Sequence, residues 1–256
     1  HHGLVRMNDA CSETGAICDE YCGGVWSFSC HLFESEPSEV VCWQGCVGRL
    51  VEGATPRRHG EGVAGALAMM AAHEGAAALA FDELAGELSA HRLPPALIRA
   101  ARRAAHEERR HTRLVGDLAR ASGGRFAVTH RRLEEPRSLE AIALENAREG
   151  CARETLGAMV GLHQSRHAAT PALRAVMAQV SADELGHASW SQALAQTLDQ
   201  KLSRAARSRV REARDEALYV AAAELTRATS ADVARALGVP DEERLHTLTT
   251  AVRDLS

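Results

Sequence analysis

Aromatic residues and long apolar runs are both scarce in this chain. Aromatic side chains make up only 4% of the 256 residues, and no run of 18 apolar residues occurs. Because a transmembrane helix needs about 20 predominantly apolar residues in succession, we expect no membrane span. An excess of basic charge is also absent, since the net charge is −4 and acidic and basic residues are interspersed. This balance argues against a nucleic-acid-binding groove.

Cysteine is nearly absent after residue 46. Six of the seven cysteines lie within the first 46 residues, and the seventh is Cys151. An even number of cysteines in a short segment predicts disulfides in an oxidising compartment, so we expect a secreted, periplasmic or cell-surface protein, with a cytoplasmic location still open. A zinc site built from two Cys-x3-Cys pairs is the alternative. The six are Cys11, Cys18, Cys22, Cys30, Cys42 and Cys46.

Alanine is very common, and from Gly60 onward the apolar residues recur with helical spacing. Alanine loses no side-chain entropy in a helix and is small enough for helices to approach closely, so an all-α fold is predicted. Prolines and glycines divide the central region into four long helices, with a loop at 125–138 between the second and third. Two hairpins joined by one long crossover form the ferritin-like four-helix arrangement.

Three regions are expected along the chain. Residues 1–58 form a Cys-rich segment with little helical periodicity, and residues 59–200 form the four-helix bundle. Residues 201–256 form a charged helical extension, broken at 238–240, which packs on the bundle or on a partner. Ser138 is the predicted N-cap of the third bundle helix.

The chain contains three Glu-x-x-His motifs, although its 24 Glu and 13 His residues predict about one by chance. A Glu and a His three residues apart lie on one face of a helix and can reach the same metal ion. A two-metal site also needs a Glu from each of two other helices, at the same height. The motifs are Glu108/His111, Glu184/His187 and Glu243/His246.

Counting residues from the helical turns identifies the partners of two motifs. Glu74 lies about 18 residues before the first turn and His111 about 18 after it, so the two are level. Glu154 lies about 15 residues before the second turn and is level with the motif that follows it. Both added glutamates are embedded in apolar stretches, where a carboxylate is costly unless it is paired or metal-bound. The predicted metal ligands are Glu74, Glu108, His111, Glu154, Glu184 and His187.

The count also rejects nearby candidates. Glu243 and His246 follow the break at 238–240 too closely for any glutamate to come level with them, so they are predicted to lie on a solvated face. Glu149 lies more than one turn from the predicted site and on a different face. His106 is predicted to point away.

Each of the two accepted motifs is preceded by an acid, Glu107 or Asp183. A metal-bound histidine usually donates its second ring N–H group to a carboxylate. These two acids are therefore predicted to hold the histidine of the opposite hairpin, although a generic charged helix position is the alternative.

The stretches "EGAAALAF…LPPALIRAARRAAHEERRH" and "REGCARET…DELGH" resemble bacterial ferritin-like domain proteins, notably a myxobacterial-type group. Members of that group share five motifs in a fixed order, often after a Cys-rich segment. The motifs are an E-x-A-S-V-A-A-F-like stretch, an A-P-P turn, D-E-x-R-H, E-G-C-x-x-E-T and a second D-E-x-x-H. The resemblance covers about residues 60–200 and implies the same six ligands. Glu107 stands where the group has Asp, and helix 1 lacks the usual Ser and Val, but no ligand is missing.

Four carboxylates and two histidines suit two iron ions, with manganese as the alternative. We expect a non-haem di-iron oxidase or oxygenase that uses O2 and acts on a small molecule or a peptide, and a homo-oligomer is compatible with the sequence. Metal storage without an organic substrate, a manganese catalase-like activity and a structural protein braced by metals are the alternatives. A rubrerythrin-like peroxidase lacks its Cys-x2-Cys pairs here, and a radical-generating site lacks a tyrosine in the four helices.

Overall fold

The computed structural model describes residue 49 and residues 54–130, 135–227 and 229–255. All of these belong to the unit Cys46–Ser256. The six N-terminal cysteines lie outside the described residues, so disulfides and a zinc site both stay predictions. The seventh, Cys151, is a buried free thiol.

Helices make up most of the described chain, which confirms the predicted all-α class. Helix α1 packs along α2, and α3 packs along α4, with α2 and α4 also in contact. The elements in order are β1 (Ala54–His59), α1 (Gly62–Ala90), α2 (Pro95–Ala121), β2 (Arg125–His130), α3 in three sections (Leu139–Glu145, Asn146–Glu154 and Thr155–His167), α4 (Pro171–Asp199), α5 (Arg204–Arg227), α6 (Ala231–Leu237) and α7 (Glu242–Asp254).

The helix ends follow the local signals in the sequence. Ser138 caps α3, because its hydroxyl accepts a hydrogen bond from the Ala141 N–H group at 3.2 Å. Thr170 caps α4 in the same way, and Pro171 occupies the first helical position, where its missing N–H group has no cost. Thr170 and Pro171 place the second turn of the bundle close to where the sequence predicts it, and Pro95 occupies the first position of α2 after the first turn.

The middle section of α3, Asn146–Glu154, is π-helical. π-Helical turns often occur at functional sites, and this one ends on a predicted ligand, Glu154. The section between Glu154 and the following turn is regular α-helix. Residue counting from the turn therefore works for Glu154 despite the irregular section on its other side.

The prediction of a loop at 125–138 was wrong for its first part, which forms β2. Phe126 and Val128 are half-buried, whereas the residues between and beside them are exposed, which is the alternation of a strand with one covered face. Val128 packs against alanines of α1. The alternation spans too few residues to be recognised alone. The antiparallel register pairs Ala54 with His130 at one end and His59 with Arg125 at the other.

Small side chains let α1 lie deep in the bundle. Its buried residues are mostly alanine, with Phe81, Leu84 and Leu88 filling the larger spaces. The C-terminal helices cover another face, where α5 and α7 pack against apolar residues of α3. The division into regions at 58 and 200 stays a prediction. Arg49 lies on the N-terminal side of its first boundary, and β1 crosses that boundary at its last residue.

Helix α1 is long and apolar enough to cross a membrane, with a mean hydropathy of 1.4 over its most apolar window. However, 61% of that window is buried inside the protein. A core helix of a soluble bundle passes the same test, so one such helix is weak evidence for a span.

Glu87 of α1 ties the end of the crossover to the bundle through Arg137. The Arg137 guanidinium donates to both Glu87 carboxylate oxygens, at 2.8 and 2.7 Å. Burial raises the pKa of Glu87, but the hydrogen bonds and charge of Arg137 outweigh burial and lower that pKa overall. Because the folded pKa lies below the unfolded one, the stabilisation is present above the unfolded pKa and is lost as pH falls through the folded pKa.

We expect Glu87→Gln to lower the free energy of unfolding by about 1–3 kcal/mol at pH 7, because the charge-assisted pair is lost. The difference from wild type should shrink below about pH 4, where the wild-type carboxylate also becomes protonated. Urea unfolding at pH 7 and pH 3.5 measures both values. Glu216→Gln, at an exposed position of α5, is the control and should change little. A Glu87→Gln effect of equal size at both pH values would contradict the role of charge.

Candidate metal centre

Four of the six predicted ligands converge between α1, α2 and α4. The ligand atoms of Glu74, Glu108, His111 and Glu184 all lie within 4.8 Å of one another, so this cluster could hold a metal ion. His111 is fully buried, and the side chain of Glu108 is only 2% exposed. The cluster is a carboxylate-rich group inside the protein rather than an acidic surface patch.

His111 faces all three carboxylates of the cluster through one ring nitrogen. Its Nδ1 atom lies 3.5 Å from Glu74 Oε2, 3.4 Å from Glu108 Oε2 and 3.4 Å from Glu184 Oε1. These distances exceed the usual 2.7–3.2 Å of an N–H···O hydrogen bond, and a single N–H group cannot point at three oxygens.

His187 lies on the other side of the same carboxylates. Its Nδ1 atom is 3.1 Å from Glu108 Oε1 and 3.5 Å from Glu184 Oε1. The centroids of the two imidazole rings are 6.1 Å apart. Glu108 and Glu184 therefore lie between the histidines, as carboxylates shared by two ion positions would. Each histidine with the carboxylates around it is called a half-site.

The outer nitrogen of each histidine is held by an acid of the opposite hairpin. His111 Nε2 lies 2.9 Å from Asp183 Oδ2, and His187 Nε2 lies 2.9 Å from Glu107 Oε2. The predicted exchange of acids between hairpins is confirmed. Because an ionised carboxylate can only accept a hydrogen bond, these contacts assign the proton to Nε2 in a neutral imidazole. The Nδ1 lone pair then points inward, which is the arrangement of a histidine ligand.

Buried atoms at the centre lack hydrogen bonds. Among the described residues, the Nδ1 atoms of His111 and His187 and the Oε2 atom of Glu108 have no hydrogen-bond partner. Such a buried polar atom typically costs about 1–3 kcal/mol. A cation held by the cluster would satisfy the atoms of His111 and Glu108, and a second one beside His187 would satisfy the Nδ1 atom of that histidine.

Glu154 lies beside the cluster rather than in it. Its side chain is 1% exposed, and its Oε1 atom accepts from Arg49 Nε at 3.3 Å. The Ser191 hydroxyl donates to its Oε2 atom at 3.2 Å. Because Ser191 follows His187 by about one helical turn, its hydrogen bond places Glu154 on the His187 side of the cluster. The charges of Glu184 and His187 both act on Glu154 there.

The electrostatics of the group are dominated by burial and by mutual charge. Burial opposes protonation of His111, but Glu108, Glu184 and Glu74 outweigh it and raise the His111 pKa. Burial likewise raises the pKa of Glu184, but the two histidines outweigh it and lower that pKa to about 2. The Glu154 pKa is raised to about 7 by burial, which Arg49 only partly offsets. Protons on the histidines or bound cations are the two ways to neutralise this group.

A solvent-open pocket of about 200 Å³ reaches His187 between α2 and α4. The Phe81 ring packs against the His187 ring, with centroids 5.2 Å apart. Trp190 packs edge-on against Phe81 and donates to the Leu97 carbonyl at 3.1 Å, which holds α4 against α2. The pocket lining is Ala100, Arg103, Ala104, Glu107, Ala182, Asp183, Gly186, His187 and Trp190.

The rejected candidates lie away from the cluster. Glu243, His246 and His106 are exposed, as predicted. Glu149 forms an ion pair with Arg153 at 3.9 Å. Burial raises the pKa of the Cys151 thiol to about 11, so this cysteine stays protonated and is not a nucleophile at neutral pH.

Two residues beside the site were missed from the sequence. Ser191 lies four residues after His187 and hence on the same helix face, a signal that the count from the turns could have used. Arg49 precedes the helices in a segment without periodicity, and no spacing rule connects it to Glu154.

No family model, curated protein or solved structure matches this chain. The ferritin-like family therefore stays a prediction.

We expect Asp183→Asn and Glu107→Gln each to weaken metal binding about 10–100-fold, because the imidazole each acid orients is then held less firmly. Competition with a fluorescent chelator measures the affinity for Mn(II) or Fe(II). Asp232→Asn, at a position with an 88% exposed side chain on α6, is the control. Wild-type affinity in both site variants would contradict the orienting role.

Proposed function

We propose that this chain is a ferritin-like di-metal carboxylate protein, loaded with iron, and that it acts as an O2-dependent oxidase or oxygenase. The observation that carries the proposal is the inward direction of two buried histidine Nδ1 atoms toward shared carboxylates. The proposed ligands are Glu74, Glu108, His111, Glu154, Glu184 and His187.

The chemistry of the donors supports iron. Carboxylate oxygen and imidazole nitrogen are hard to borderline donors, which suit iron and manganese and give no preference to soft ions. The four carboxylates offset the charge of two divalent ions. Among the described residues, Cys151 is the one cysteine, and it is not in the cluster.

Two positions for ions are supported by the sharing of carboxylates. Glu108 presents one oxygen toward each histidine, at 3.4 Å from His111 and 3.1 Å from His187. Glu74 lies on the side of His111, and the charge of Glu154 acts on the side of His187. Each histidine thus has one carboxylate of its own and two in common.

A reduced iron pair held by these residues would supply electrons to O2. The residues of the chain orient the ligands. Phe81, Trp190 and buried alanines of α1 and α2 form an apolar cluster beside His187, which limits the access of water to the open pocket on that side. The pocket at His187 is the route for O2 and for a substrate, and its size favours a small molecule over a peptide. Tyr219 is 75% exposed on α5, and such a position does not suit a radical carrier, which has to lie beside the metals.

We expect the wild-type chain, purified from cells supplied with iron and manganese, to bind about two ions per chain. His111→Ala and His187→Ala should each lower the metal content to about one ion or less, because a ligand is lost. His246→Ala is the matched control, since Glu243/His246 repeats the motif on an exposed face. Elemental analysis with circular dichroism checks metal content and folding together.

Two results would count against the proposal. Fewer than about one ion per wild-type chain, unchanged by the histidine variants, would exclude the metal centre. Rapid O2 consumption that yields only a ferric oxide core would instead indicate iron storage.

We expect Gly186→Leu to slow azide binding to the oxidised centre and O2 consumption by the reduced centre several-fold, without a change in metal content. Gly186 lines the pocket, and a side chain added there projects into open space rather than into the protein. Gly86→Leu is the matched control, because Gly86 is an exposed helical glycine of α1 with equally open surroundings. Equal rates in the two variants would contradict the assigned route.

A further inference from the structure

Arg49 is a fully buried cation that enters the bundle from outside the four helices. It is 0% exposed and reaches the core from a position five residues before β1. Its guanidinium donates to Glu145 Oε1 at 2.6 Å and to Glu154 Oε1 at 3.3 Å. It also donates to Asn146 Oδ1 at 3.0 Å and to Ser191 Oγ at 3.2 Å.

The surroundings of Arg49 are built to hold a planar cation. Its Cζ atom lies 4.9 Å from the ring centroid of Phe81 and 5.5 Å from that of Trp190, within the range of cation–π attraction. Gly150, in the π-helical section of α3, supplies the space, because a Cβ atom there would collide with Arg49 Nη2. A guanidinium with five donors in a fixed plane matches this set of acceptors.

Arg49 makes the two half-sites unequal. Both oxygens of Glu154 accept hydrogen bonds, one from Arg49 and one from Ser191. Among the described residues, Glu74 has its ion pair with His111 and none with an arginine or lysine. Arg49 thus neutralises the Glu154 carboxylate, whereas the Glu74 carboxylate faces only the cluster.

We propose that Arg49 is a positioning residue that weakens the second ion position, the one at His187 and Glu154. The position formed by Glu74, Glu108, His111 and Glu184 then fills first. The guanidinium competes for the Glu154 carboxylate and repels a second cation, in surroundings where water screens charge poorly. This inference rests on the proposed metal centre and adds the order of loading.

The test is a stepwise anaerobic titration of the metal-free full chain with Mn(II), followed by calorimetry and by electron paramagnetic resonance. In the wild type we expect the first ion to bind at least about ten-fold more tightly than the second, with a spin-coupled pair signal only after the second step. Arg49→Gln should strengthen the second step about ten-fold and leave the first nearly unchanged.

Arg137→Gln is the matched control. Arg137 is the neighbouring arginine, 3.6 Å from Glu145, but its main partner is Glu87 and it does not contact Glu154. This variant removes the same charge nearby, and the ratio of the affinities for the first and the second ion should stay as in the wild type. Arg49→Lys keeps the charge and should also keep the wild-type ratio of the two ion affinities.

The outcomes separate this inference from the proposed function. Two ions that bind wild type in one step of equal affinity would overturn the role of Arg49 and leave the metal centre intact, whether or not Arg49→Gln folds. Weaker binding of the second ion by folded Arg49→Gln would also overturn this role, because Arg49 would then be strengthening the second ion position rather than weakening it. No binding of Mn(II) or Fe(II) by wild type would overturn both.

Discussion

Carboxylates buried in a helical core have to be neutralised, and the bundle is arranged around this requirement. Glu108 and Glu154 are each 1% exposed, and neither could remain charged in an apolar interior without a partner. Two histidines face Glu108 from opposite sides, and Arg49 contacts Glu154. Alanines of α1 and α2 bring the helices close enough for these contacts, and water reaches the group through the pocket at His187.

The same contacts hold the two hairpins together. Each motif supplies an inward carboxylate for the shared centre and an outward acid for the other motif's histidine. Neither histidine can therefore be oriented without the acid of the other motif. Formation of the site and docking of α2 against α4 are thus coupled. The π-helical section of α3 adds to this, since it brings Asn146 and Gly150 around the guanidinium that contacts Glu154.

Sequence reasoning succeeds here where geometry follows from residue spacing. Helical periodicity located the long helices, and counting from two turns separated Glu108 and His111 from the exposed copy at Glu243 and His246. It failed where contacts join distant segments. Arg49 has no periodic context, β2 alternates over too few residues, and the pocket depends on how α2 and α4 are spaced. None of these features is encoded in local spacing.

Crystallography with anomalous scattering at the iron absorption edge would locate the metal, on full-length protein loaded with Fe(II) under anaerobic conditions. We expect an iron peak within coordination distance of His111 Nδ1 and the three carboxylates of the cluster, with any second, weaker peak at His187. A map without iron between the two histidines, in which their Nδ1 atoms instead form short hydrogen bonds to the carboxylates, would contradict it. The buried group would then be an internal ion network.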